Sequence, residues 1–220
     1  MSRVLVIGGS DQGRQVIDAI LARGSHTAVG VLDRALPRGE LVAGVPVVGT
    51  DDDLASCAAE VGADHLIVAI GDNATRGAVL ERALAATPEV QAATIVHPSA
   101  VIGRDATIGA GSILLAGCVV GNGTRVGRGV LLGIRSSVDH DGVVGDFASL
   151  GPAATTGGTV CVGRTTAIGL GASIIHGVTI GDDTVVGAGA VVLEDLPPRV
   201  VAYGVPARVA RARPPGERYL

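Results

Sequence analysis

Five histidines occur in this 220-residue chain, and one of them, His140, stands between two carboxylates, Asp139 and Asp141. An imidazole titrates near neutral pH, so a histidine beside an acid is suited to accept a proton from a nucleophile and pass it on. Neighbours on a regular strand point to opposite sides. A carboxylate next in sequence therefore orients the ring only where the backbone bends, and the sequence leaves Asp139 and Asp141 both open. A second cluster lies near the amino terminus. There Gly8-Gly9-Ser10-Asp11-Gln12-Gly13 matches G-x-G-x-x-G at its first and third glycines, with Ser10 at the second. Asp33 follows Gly13 by twenty residues, the spacing of a ribose-binding acid. A helix start behind such a turn offers free N–H groups and a favourable dipole to a diphosphate. Ser10 removes the glycine that lets backbone approach a pyrophosphate closely, so the turn reads as a phosphate cradle more than as an NAD site.

Two kinds of element must position these clusters. In the first hundred residues short apolar runs alternate with helical spacing: strands at 4–7, 29–32 and 65–70, and helices at 11–23, 51–61 and 74–86. Such alternation predicts a small parallel sheet flanked by helices, with ligands at the carboxyl ends of its strands. Ser10, Asp11, Gln12 and Gly13, then Asp33 and Arg34, then Gly71 and Asp72 all fall at those ends and are the candidate substrate-binding residues.

From Ile102 to Val192 an aliphatic residue returns at every sixth position, with Thr156 the one exception in sixteen slots. Glycine follows in twelve of them, which permits the backbone conformations that corners require. A hexapeptide period is the signature of a parallel β-helix with three faces per coil, so residues eighteen apart are stacked roughly 4.8 Å from one another. The narrow interior also accounts for the absence of Trp and the presence of one Phe and two Tyr. In this register Asn122, His140, Gly158 and His176 share one column, with His176 two coils, roughly 9 to 10 Å, from His140 and lining the same groove. His97 reads as structural at the first coil, and His26 and His65 as peripheral.

A formal charge of −4, a pI near 5.7 and no basic block argue against nucleic acid as a partner. Cys57, Cys118 and Cys161 are odd in number and lack metal spacing, which predicts reduced thiols and no metal site. The first residues carry too short an apolar stretch for a signal peptide, and no run approaches the ~18 apolar residues of a membrane span. A cytoplasmic protein is expected, without membrane association.

Six segments, Val6-Ile-Gly-Gly-Ser-Asp-Gln-Gly13, Gly44-Val-Pro-Val-Val-Gly49, Ile70-Gly-Asp-Asn-Ala-Thr-Arg76, His97-Pro-Ser-Ala100, Ser137-Val-Asp-His-Asp-Gly142 and Gly204-Val-Pro-Ala-Arg208, resemble those of the PglD/NeuD-type sugar O- and N-acetyltransferases in order and spacing. The resemblance implies a small Rossmann-like α/β domain that binds a nucleotide-linked amino sugar (residues 1–96) and a left-handed β-helix acyltransferase domain (97–208). It also implies a homotrimer, with acetyl-coenzyme A bound between adjacent subunits. Handedness comes from the resemblance alone, since the general preference for right-handed crossovers points the other way. Carried over position by position, His140 is the general base and Asp141 raises its basicity, while Ser149, Gly158, Leu170 and Ala188 contact the coenzyme.

The chain departs from the family pattern in three places. Ser149 stands where a histidine often meets the thioester region, Gly133 where Asn is common, and Gln12 where a histidine is frequent. The expected reaction is N-acetylation of a nucleotide-activated 4-amino-4,6-dideoxy sugar by direct attack, because Cys118 and Cys161 lie in other slots than His140. Acetylation of a sugar hydroxyl and a non-catalytic trimeric scaffold that senses a nucleotide are the alternatives, with NAD chemistry ranked last. The segment 204–208 either approaches the adenine end of the coenzyme or simply caps the last coil. Residues 209–220 are expected to be a mobile tail.

Overall fold

The computed structural model describes residues 1–219. The front of the chain gives β1 (Ser2–Ile7), α1 (Asp11–Arg23), β2 (His26–Leu32), β3 (Leu41–Val42), β4 (Val45–Gly49), α2 (Leu54–Val61) preceded by a 3-10 turn at Asp51–Asp53, β5 (His65–Val68), α3 (Asn73–Ala86) and β6 (Gln91–Ala92). Their sheet order is β3-β4-β2-β1-β5-β6, with β1 parallel to both β2 and β5. Connections leave β1 and β5 in opposite directions, which makes the gap beyond their ends the natural ligand crevice. The strand expected at 65–70 stops at Val68, and the hairpin of β3 and β4 turns at Ala43 and Gly44, both left-handed, with φ of 47° and 84°.

The rest of the chain is a left-handed β-helix. It starts with β7 (Ile95–Val96) and runs through sixteen two-residue strands, β8 (Val101–Ile102) to β23 (Val191–Val192), at six-residue spacing. The stack thus begins one rung before Ile102, and β7 pairs with Ile113 and Leu114 eighteen residues on. The same eighteen-residue register links Val120 to Val138, Val126 to Val144 and Leu132 to Leu150. From β10 (Ile113–Leu114) to β23 the second residue of every strand is buried, while Ile102 at the open first coil is exposed. Leu114, Val120, Leu132, Val138, Leu150 and Ile180 are wholly buried in one continuous core.

Thr156, the polar slot, is buried too, and its hydroxyl accepts the N–H of Asp139 at 3.3 Å. The exception in the aliphatic series therefore serves the corner that carries His140. Corner glycines leave no room for a side chain: a Cβ on Gly121 would lie 2.6 Å from the backbone of Asp139 in the next coil.

The two parts share their cores. Ile113, Leu115 and Leu131, on the outer side of one β-helix face, pack with Val16, Ile17 and Ile20 of α1. Phe147 leaves its corner to join Leu5, Val79 and Leu80. Arg76 of α3 is 1% exposed and donates to the carbonyls of Ile70, Gly71, Gly129, Phe147 and Ala148 and to Asn73 Oδ1. Asn73 in turn donates to the carbonyls of Thr165 and Thr166. Burial pushes the guanidinium of Arg76 down to about 10, so it stays charged at neutral pH.

At the other end, the tail expected to be mobile from Val209 onward is largely built into the fold. β24 (Val200–Gly204) extends the first face, and β25 (Ala207–Ala212) pairs antiparallel with it. The exposed edge of a last coil offers unpaired N–H and C=O groups, and a hairpin satisfies them. Leu220 lies outside the described residues. Among those described, no helix is long and apolar enough to cross a membrane.

Candidate active site

Two cavities and one corner hold the residues singled out by sequence. The first cavity, about 460 Å³, opens at the carboxyl ends of β1 and β2 and is lined by Gly8, Ser10, Asp33, Arg34, Thr75 and Arg82, among others. Ser10 is the N-cap of α1 in an extended conformation, with no capping bond from its side chain. Asp33 is fully engaged: one oxygen accepts the N–H of Gly9 at 2.7 Å, and the other accepts those of Ala35 at 2.8 Å and Leu36 at 3.2 Å. It shapes the pocket wall through backbone. Asp72 caps α3 by accepting from the N–H and hydroxyl of Thr75 and is 9% exposed. Asp11 points to solvent and pairs loosely with Arg14.

Sequence reading missed the charged pair at the back of this cavity. Asp51 is bound by both Arg34 and Arg82, and the two guanidinium groups hold its carboxyl below the usual range. Arg82 and Asp51 lie on different helical segments, so only the fold brings them together.

The second cavity, about 450 Å³, is a groove along the outer side of the first β-helix face. Gly133, Gly151, Gly169 and Gly187 run along it, stacked at the eighteen-residue period beside Leu131, Ser149, Ala167 and Val185. Ser149, Leu170 and Ala188, three of the four expected coenzyme contacts, line it, and so do Gln12, Gly71 and Tyr219. The amide nitrogen of Gln12 is buried with no partner. The groove is narrow, apolar and long, the shape that suits an extended thioester arm.

His140 stands elsewhere, at the corner between the second and third faces. Asp141 adopts a left-handed conformation with φ of 55°, which turns consecutive side chains to the same side. Its Oδ2 meets His140 Nδ1 at 3.0 Å. Asp139 does a different job, since its Oδ1 accepts the backbone N–H of His140 at 2.7 Å. The corner bend thus answers the question left open by sequence in favour of Asp141 as the ring's partner. Gly158 lies directly over the imidazole, and a Cβ there would fall 2.3 Å from Nε2. That missing side chain also lets His176 lean in. Its ring centroid is 6.0 Å from that of His140, nearer than two coils of backbone imply, and its Nε2 meets the Thr159 hydroxyl at 3.3 Å.

His97 accepts at Nδ1 from the N–H of Ser99, a local structural role. His65 pairs with Asp64 away from both cavities. The three cysteines are free thiols, and Cys118 is buried deeply enough for its pKa to be pushed up to about 11.

Comparison with known proteins agrees with this geometry. Residues 3–83 match the PglD N-terminal domain family, and 99–133 match the bacterial transferase hexapeptide family. No curated protein matches the chain. Among solved structures, a GDP-perosamine N-acetyltransferase from Caulobacter crescentus is 37% identical over 96% of this chain and 98% of its own, with a TM-score of 0.89. The acetyltransferase domain of PglB from Neisseria gonorrhoeae is 30% identical over 95% of this chain and 100% of its own, with a TM-score of 0.89. WeeI from Acinetobacter baumannii is 26% identical over 95% of this chain and 100% of its own, with a TM-score of 0.82.

The chain belongs to the PglD-like family of sugar acetyltransferases. It is an acyltransferase, and acetyl-coenzyme A is the acyl donor of that family. Among the described residues of this PglD-like chain, no cluster of His, Cys, Asp or Glu is arranged to hold a metal ion.

The electrostatics of the PglD-like corner give a pH signature. The hydrogen bond that His140 donates to the Asp141 carboxylate raises the pKa of His140 above its ordinary value, with the charges of Asp139 and Asp141 adding to it. A base works only when unprotonated, so a role for His140 as base predicts an acid limb of kcat/KM above that of a free imidazole. In Asp141→Asn the raising bond to a carboxylate is gone. On that role the acid limb is expected to move to lower pH and the plateau rate to fall, because an imidazolium there would lose its stabilising charge. A pH–rate profile of the variant with an unmoved acid limb would remove Asp141 from that role.

Proposed function

We propose that the chain transfers the acetyl group of acetyl-coenzyme A to the amino group of a nucleotide-activated 4-amino-4,6-dideoxy sugar, by direct attack with His140 as general base. The single observation that carries this reading is the His140–Asp141 pair, held at 3.0 Å on a bent corner and open to solvent beneath Gly158. The neutral amine attacks the thioester carbonyl carbon, and His140 Nε2 takes the proton that the nitrogen sheds. The C–S bond breaks as the tetrahedral centre collapses, and the proton returns from the imidazolium to the departing thiolate. The products are an amide and free coenzyme A. No enzyme nucleophile is needed, and no cysteine stands at this corner.

Topology supports a site shared between copies of the chain. The groove lies outside the first face, and His140 lies at the one corner that the first face does not touch. One prism cannot bring its own imidazole to its own groove. Side-by-side copies do so, and three copies close such a ring. Exposed Val101 and Val119 on the outer side of the second face offer apolar contact for that association.

The sugar nucleotide is assigned to the crevice of the front domain, where Gly8, Ser10, Asp33 and Arg34 cluster with Asp51 and Arg82. The Caulobacter relative was captured with CoA and GDP-perosamine together, also in forms with a histidine changed to alanine or asparagine. That pairing of ligands favours an amine acceptor on a nucleotide. The test is thiol release from acetyl-coenzyme A with GDP-, UDP- and dTDP-linked 4-amino sugars and their 4-hydroxyl counterparts. Turnover is expected with an amino sugar alone. Release only with the hydroxyl series would overturn the N-acetyl assignment.

A further inference from the structure

The carboxyl-terminal segment after β25 crosses back over the groove. Arg213 is 4% exposed, and its guanidinium binds the carboxylate and the carbonyl of Asp183 and the carbonyl of Glu217. The other oxygen of Asp183 accepts the N–H of Gly216 at 3.0 Å, and Arg211 pairs with Glu217 at 2.9 Å. This strap delivers Tyr219 to the groove, where its ring lies 5.9 Å from the Arg213 guanidinium. The phenol donates to the carbonyl of Gly71 at 3.2 Å and meets the hydroxyl of Ser149 at 3.2 Å. Tyr219 therefore ties Ser149 of the groove wall to Gly71 of the front domain.

The direction of the groove says what the ring would touch. At one end lie Val185, Gly187 and Ala188, near the terminal hairpin, two coils away stands Ser149, and the lining continues past it to Leu131 and Leu115. Ser149 is a small residue on the outer side of its strand, and alone it would leave the groove wide at its level. Tyr219 fills the width. With its proton given to Gly71 and its oxygen taken by Ser149, the phenol is tied on both sides and forms a fixed wall.

We propose that Tyr219 is an acyl-selecting residue: held over Ser149 by the strap, its ring narrows the groove at that level and limits the acyl group to about the size of acetyl. This rests on the reading of the groove as the coenzyme site. Arg213 is a positioning residue, acting through the strap.

The test uses the full chain and equilibrium binding of coenzyme A, acetyl-coenzyme A and butyryl-coenzyme A. Each methylene that a pocket rejects is worth about tenfold or more. Butyryl is two methylenes longer than acetyl, so the wild type is expected to bind butyryl-coenzyme A at least about a hundredfold more weakly than acetyl-coenzyme A. Tyr219→Ala should abolish the difference between acetyl- and butyryl-coenzyme A. Tyr219→Phe keeps the ring and should keep most of the selection, and Arg213→Ala should lose it by freeing the strap. Discrimination in Tyr219→Ala equal to wild type, with normal coenzyme A binding, would overturn the role of Tyr219 alone. Failure of the wild type to bind coenzyme A would instead sink the assignment of the groove, and the inference with it.

Discussion

Replacing His140 by alanine is expected to lower kcat by about 10²- to 10⁴-fold, the usual worth of the general base proposed here, and to leave coenzyme binding intact. The expected separation of the two effects follows from geometry. The ring is 44% exposed at its corner and is absent from the lining of the groove, so its removal touches neither the aliphatic core nor the groove wall. A melting curve close to wild type should accompany the lost rate. Loss confined to the reacting step appears equally in kcat and kcat/KM. His140→Asn, which fills the same space without a titrating nitrogen, should be as slow as the alanine variant. Full activity in either variant, measured by thiol release at saturating substrates, would take the proton transfer away from this residue.

The second large effect is on stability. Arg76→Ala should cost more than about 3 kcal/mol, because a buried polar group left without its partner costs about 1–3 kcal/mol and several carbonyls lose theirs together. The acceptors come from both parts of the chain: Ile70 and Gly71 belong to the front domain, and Gly129, Phe147 and Ala148 to the β-helix. Arg76→Lys should rescue little. An ammonium has three donors at one point, whereas the guanidinium spreads five across a plane. Chemical denaturation followed by far-UV circular dichroism reads the change, and a midpoint equal to wild type in Arg76→Ala would show that the joint is held by apolar packing alone.

Why was Arg76 invisible as a structural residue? An arginine inside a helix reads as a solvated face, and its acceptors lie 53 to 72 residues away in the β-helix. The motif around it pointed to a family, not to a contact. Tyr219 was hidden for the same reason, since nothing local in 209–220 says that a strand will form or where its end will land. By contrast the helix at 11–23 and the sixfold series were legible because their signals are local and repeated. The pairing of His140 with Asp141 was half legible. Sequence offered two carboxylates, and only the left-handed backbone at Asp141 decides between them.

Left-handed corners recur up the whole stack, at Asp105, Arg135, Phe147, Ala153, Thr159, Thr165 and Asp183 besides Asp141. An L-residue with a side chain pays roughly 1–2 kcal/mol for that conformation relative to glycine. The prism consequently carries a reserve of slack distributed along its edges, most of it remote from chemistry. Relaxing Ala153 or Thr165 to glycine could toughen the scaffold without disturbing a proton acceptor, but the same relief at Asp141 would discard the carboxylate along with the tension. Evolution of hardiness in such a molecule is free to proceed along the edges except where a corner side chain has a task, at Asp141 and likewise at Phe147 in the shared core and Asp183 under the strap.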